Sequence, residues 1–225
     1  MNYQIPSCGE DKEVHGMSRG IRFIPVGAVV GLCAALLVGC ASGQEDGRSE
    51  QGWDTTIAPQ EVTWSSSVGC LSLPSSEVSG PFEQEPGAVP GGFERSPQGA
   101  VIAAVVGQGW LAAADDEQWP AVVGQLVAPG QGKDQWAQAR ATLSVEGCLD
   151  PAPEFVGFAF DGFTEDAASL ALAVRRPDGG LYAMPTQLVW QGGGDWRLVL
   201  PSQEKAVDAV ELDSLEAFIT FSKEG

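Results

Sequence analysis

Five cysteines, one histidine and two short acidic clusters are the residues of this chain whose types could do chemistry. Their spacing narrows that chemistry. His15 is the single histidine, so nothing downstream can complete a Ser-His-Asp or Cys-His relay, or a histidine metal site. Asp115-Asp116-Glu117 and Glu165-Asp166 set carboxylates side by side, as an acid–base pair would require. The first cluster falls at a helix boundary and the second at a strand-to-strand turn, where acids are normally solvated. No D-x-D-x-D-G spacing offers these acids to calcium. The stretches "GQGWLAA" and "GGGDW" are rich in glycine, yet neither follows a strand and opens a helix as a phosphate loop must. The expectation is therefore a chain that is not an enzyme and carries neither cofactor nor metal. The residue with the clearest chemical prospect is Cys40.

Cys40 closes an apolar run. Residues 17–23, "MSRGIRF", are short and basic; residues 24–38, "IPVGAVVGLCAALLV", are mostly apolar; Gly39 and Cys40 follow, and Ala41-Ser42-Gly43 stay small. A basic segment, an apolar segment and a small-residue exit make a secretory signal. Ending on Leu37-Val38-Gly39-Cys40, it resembles the bacterial lipoprotein signal, whose closing cysteine takes a diacylglyceryl thioether. That resemblance implies cleavage between Gly39 and Cys40 and membrane lipid held through Cys40. Two acyl chains anchor stably, each buried methylene contributing about 0.8 kcal/mol. The alternative is an uncleaved span, since Ile21–Val38 is near the lower length for crossing a bilayer. Either way Arg19 and Arg22 stay inside and the remainder lies on the extracytoplasmic face of the cell membrane. Translation from Met17 would give a more usual signal than translation from Met1.

The charge belongs entirely to the part after the signal. Residues 1–39 balance, while the following residues carry 27 acidic and 9 basic groups, the whole formal charge of −18. So acidic a body repels phosphate backbones, so no direct nucleic-acid partner is expected. It also repels anionic headgroups, so residence at a membrane needs an anchor. Cys8 and Cys33 fall within the signal, leaving Cys70 and Cys148 after Cys40. Outside the cytoplasm two such cysteines usually form a disulfide; two separate buried thiols are the alternative.

These residues need elements to place them. Residues 40–60 are polar and glycine-rich, a lipidated flexible tether. Residues 61–225 form one α+β extracytoplasmic domain. Its first part, to about residue 95, reads as extended chain wrapped on a core and pinned by Trp64, Leu71, Leu73 and Phe93. Ser96-Pro97 then gives an N-cap with proline at the first helical position. Helices are expected over "PQGAVIAAVVGQGWLAAADD", "DEQWPAVVGQLVAPG" and "KDQWAQARATLSV", with Gly107 and Gly109 marking close approach of another backbone and Trp136, Ala139, Ala141 and Leu143 available for burial. From residue 154 the period becomes two, predicting four strands: "EFVGFAFDGF", "ASLALAVRR", "GLYAMPTQLVW" and "DWRLVLP". Pro177-Asp178-Gly179-Gly180 and Gly192-Gly193-Gly194 supply hairpin turns. The tail "LDSLEAFITF" is expected to be a short helix or cap.

Helices followed by a curved four-stranded antiparallel meander resemble the nuclear transport factor 2-like cone. The stretches "LSLPSSEVSGP", "GFERSPQGAVIAA" and "LVWQGGGDWRLVLP" further resemble uncharacterised actinobacterial membrane-anchored proteins often encoded near conjugation genes. Similar cones occur in scaffold subunits of type IV secretion and conjugation channels, and in proteins associated with lipid import. The resemblance implies an accessory or scaffold part of a membrane protein complex. Those scaffold subunits keep an uncleaved helix, whereas Leu37–Cys40 points to a lipid. A cone also encloses a space that Phe158, Phe160, Tyr182, Trp190 and Trp196 would line or fill. If they line it, a lipoprotein binding a small apolar or sugar-like ligand is the alternative function. An enzyme would need a polar group buried there, and Thr186-Gln187 is the only uncharged polar pair in mid-strand.

Overall fold

The computed structural model describes residues 52–191 and 193–222. His15, Met17, Gly39, Cys40, the signal and the tether as far as residue 51 lie outside the described residues, and so do the calls made on them. The body is α+β, with three helices and mainly antiparallel strands. Strands β1 (Val62–Ser66) and β2 (Ser72–Ser76) form a hairpin. Helices α1 (Pro97–Ala113), α2 (Trp119–Leu126) and α3 (Gln131–Arg140) follow. Strands β3 (Glu154–Thr164), β4 (Ala167–Arg175), β5 (Leu181–Gln191) and β6 (Asp195–Leu198) then make the expected meander.

The sheet has six strands rather than four. The tail contributes β7 (Val210–Leu212), paired with β5, and β8 (Ile219–Thr220), paired with β3. Of the short helix or cap expected there, the helix does not form over 212–221. Segments of two or three residues carry no periodicity of their own, and pairing with a formed edge decides their conformation. The four-stranded cone is accordingly not the arrangement observed.

Helix α1 is the centre of the described body because it is apolar on every side. Fourteen of its seventeen residues are buried, and an all-round apolar helix must be covered all round. The Ser96 hydroxyl caps it, accepting from the Gly99 N–H at 3.0 Å. Gly107 and Gly109 lie about 200° apart around the helix, so they face opposite ways. A Cβ on Gly107 would meet the Leu198 side chain of β6 at 2.7 Å, and one on Gly109 would meet Leu73 of β2 at 2.6 Å. The glycines therefore admit leucine side chains rather than another backbone. Backbone approach occurs instead at Gly99, against the Glu94 carbonyl, and at Gly132 of α3, against that of Leu200.

Helix α3 also differs from expectation. It ends at Arg140, and Gly132 and Arg140 are its buried residues, while Ala139, Ala141 and Leu143 are exposed. Arg140 explains the stop: its guanidinium donates to the Leu143 and Ala114 carbonyls, both at 3.0 Å, and so draws the chain out of the helix.

Candidate functional site

The two distinctive motifs meet as structure. The Asp195 carboxylate accepts from the backbone N–H groups of Gly92, Phe93 and Trp196 at 2.8, 3.0 and 2.9 Å. The Trp196 indole donates to the Glu94 carbonyl at 2.9 Å. Arg95 stands 5.4 Å from the Trp190 ring centre, donates to the Glu165 carbonyl and pairs with Asp166. Thus "GGGDW" fixes "GGFER" to β6, and the Glu165-Asp166 cluster anchors an arginine.

The five aromatic residues expected around a cone cavity are mostly packed against one another. Phe158 and Trp196 are fully buried; Phe160 and Trp190 pack partly buried beside them, with ring contacts of 5.4–5.9 Å running through Phe163. Tyr182 lies apart, under the Arg176 guanidinium at 4.8 Å. Thr186 is buried on β5, where its hydroxyl accepts from Gln108 of α1 at 3.3 Å.

A cleft of about 650 Å³ opens on the opposite side of α1, and none of those five residues lines it. One wall is β2 with Ser65–Ser67, and the other is the segment from Pro81 to Pro90. Val106, Trp110 and Ala113 of α1 make the floor, and Asp115, Gln118 and the Cys70–Cys148 disulfide close one end. The disulfide is exposed, with its Cα atoms 5.1 Å apart. Gly69 and Cys70 both take left-handed backbone, at φ +56° and +63°. Gly69 is required there, since a Cβ would strike that of Ala113 at 2.6 Å.

A polar knot sets the far side of the disulfide. The Asp116 carboxylate accepts from Arg140 at 2.9 Å, the Ser144 hydroxyl at 2.8 Å and the Val145 N–H at 3.1 Å. The Val145 N–H, then Arg140 and Ser144, hold this carboxyl below the ordinary aspartate range. Asp116 is therefore exposed, as expected of an acid at a helix boundary, and is also the bonded partner of the buried Arg140. Asp115 accepts from the Glu117 and Gln118 N–H groups at 2.9 and 2.8 Å, turning the chain into α2. Lys133 donates to the Val127 carbonyl at the end of α2, 3.0 Å away, and burial beside Arg197 pushes its pKa down.

Electrostatically the cleft is one-sided. Glu85 and Asp115 line it, and among the described residues no lysine or arginine does. Beneath it Trp110 is 5% exposed, and its buried indole N–H has no acceptor among the described residues. Sequence reasoning passed over this site. Its walls lie in the part read as wrapping chain, and Trp110 reads as one more apolar residue of a helix. The signals were a serine run at 65–67 and four prolines, Pro74, Pro81, Pro86 and Pro90, in so short a stretch. Among the described residues, no three histidine, cysteine or acidic side chains are grouped to hold a metal ion. Nor is any helix among them long and apolar enough to cross a membrane.

Comparison with known families decides one point. The domain of unknown function DUF8175 matches residues 39–220. The chain belongs to the DUF8175 family. The matched span begins at Gly39 and takes in both the cleft and the six-stranded sheet. No curated protein and no solved structure matches this DUF8175 chain.

Proposed function

We propose that this DUF8175 protein is a non-enzymatic, lipid-anchored extracytoplasmic protein that serves as an accessory or scaffold component of a membrane complex, such as a conjugation or secretion apparatus. The observation that carries the reading is Leu37-Val38-Gly39-Cys40 at the end of an apolar run, directly ahead of a body holding the entire −18 charge. Such a body is repelled by anionic lipid and requires an anchor to stay at a membrane, which the lipid at Cys40 would supply. An exposed disulfide accords with an oxidising compartment. The binding role is supported by how the candidate catalytic groups are used. Asp115 turns a chain, Asp116 holds Arg140, and Asp166 holds Arg95, so each acid has structural work within the fold.

The test is metabolic labelling with an alkyne fatty acid in the producing cell. The wild-type chain should label and sediment with membranes, and Cys40→Ala should lose both properties. Label that persists in Cys40→Ala, or an unlabelled wild-type chain, would contradict the reading.

A further inference from the structure

The proline-walled cleft differs from the rest of the core in being incomplete. Trp110 is ninety-five per cent buried on its floor, and its buried indole N–H has no acceptor among the described residues. Strand β2 pairs with β1 along one edge only; on the other, Ser76 bridges to Gly80, and what faces outward besides is the Ser72 N–H and the Ser72 and Pro74 carbonyls, proline having no N–H. Leu73, Pro74 and Ser75 of that strand line the cleft. A strand with an open edge beside a trough is the arrangement that accepts an extended chain. The charge selects among extended chains: Glu85 and Asp115 face the trough with no base to balance them. A second copy of this protein, at −18, would be repelled, and its own residues 40–51 are net acidic.

We infer that the cleft between β2 and residues 81–90 binds an extended, lysine- or arginine-bearing peptide segment of a partner protein. The segment lies along β2 over Trp110 and sets a basic side chain beside Glu85 and Asp115. This specifies the chemistry of the partner and rests on the docking role proposed above.

The experiment uses the full chain in detergent micelles and two synthetic peptides of equal length, one alternating lysine with valine and the other glutamate with valine. The lysine peptide should bind saturably and increase hydrogen-exchange protection at Ser72, whose N–H faces the open edge of β2. Glu85→Lys, an exposed loop substitution, should weaken that binding about tenfold. Absence of saturable lysine-peptide binding, equal binding of the glutamate peptide, indifference to Glu85→Lys, or protection confined to another face would each overturn the inference. So would a co-purified small molecule, or self-association through the cleft, that the peptide fails to displace. If these results fail while Cys40 still labels, the cleft assignment falls and the anchored reading stands. Loss of labelling strikes the reading itself.

Discussion

Trp196 and Trp110 belong to opposite sides of α1, and they are buried to different ends. On the sheet side, Trp196 is 1% exposed, donates to the Glu94 carbonyl and packs against Trp190 and Phe163. Beside it Asp195 gathers three backbone donors. On the cleft side, Trp110 is almost as deeply buried, but its donor is unanswered and the walls around it are prolines, serines and an exposed disulfide. One region completes its own hydrogen bonds. The other leaves one donor without an acceptor among the described residues. A saturated region builds the fold, and an unsaturated one marks where the packing is incomplete.

That difference can be broken first at its strong end. Trp196→Ala removes a large fully buried side chain and strands the Glu94 carbonyl, so it should cost about 4–5 kcal/mol in urea denaturation. A loss under about 2 kcal/mol would mean that the aromatic cluster is not the keystone of the sheet side. Next comes the disulfide, whose cysteines are 78 residues apart. Replacing Cys70 and Cys148 by serine should cost about 2–4 kcal/mol, the range for closing a long loop. The cleft should then lose its peptide binding before the sheet side loses its near-ultraviolet signal.

A pH titration sharpens the comparison at the knot behind the disulfide. The Asp116 carboxyl titrates lower in the folded chain than its ordinary 3.8. Its stabilisation is therefore complete above that value and disappears as pH falls through the lower, folded one. Urea midpoints should fall over that acidic window, and Asp116→Asn should flatten the fall. A midpoint equally steep in the variant would remove Asp116 from the acid response. Smallest of all is Trp110→Phe. It discards a donor that has no acceptor, so the free protein should change by less than about 1 kcal/mol. A large loss would show that the indole N–H is already bonded.

Much of the sheet side was legible in the sequence because its signals are local. Ser96-Pro97 announces α1, the period of two in residues 154–200 announces four strands, and the glycine turns separate them. Strands β7 and β8 were not legible, since three and two residues adopt extended form only by pairing with β5 and β3. Helix α3 ran too long in expectation because its stop is a long-range matter, Arg140 reaching the Ala114 carbonyl at the end of α1. The cleft was the least legible part. It exists only once Pro81–Pro90 comes to lie opposite β2 above Trp110, and no local pattern states that meeting. Aromatic residues on alternating positions could either line a space or fill it, and rings of that size reach one another and fill it.

The most direct test is site-specific photocrosslinking in the producing cell. A photoreactive residue is placed at Ser66 on the cleft rim or at Asp178 on the β4–β5 turn, both exposed. The account predicts a defined crosslink to a membrane protein from Ser66, lost when Glu85→Lys is added, and none from Asp178. A crosslink from Asp178 alone, or from neither position, would contradict it.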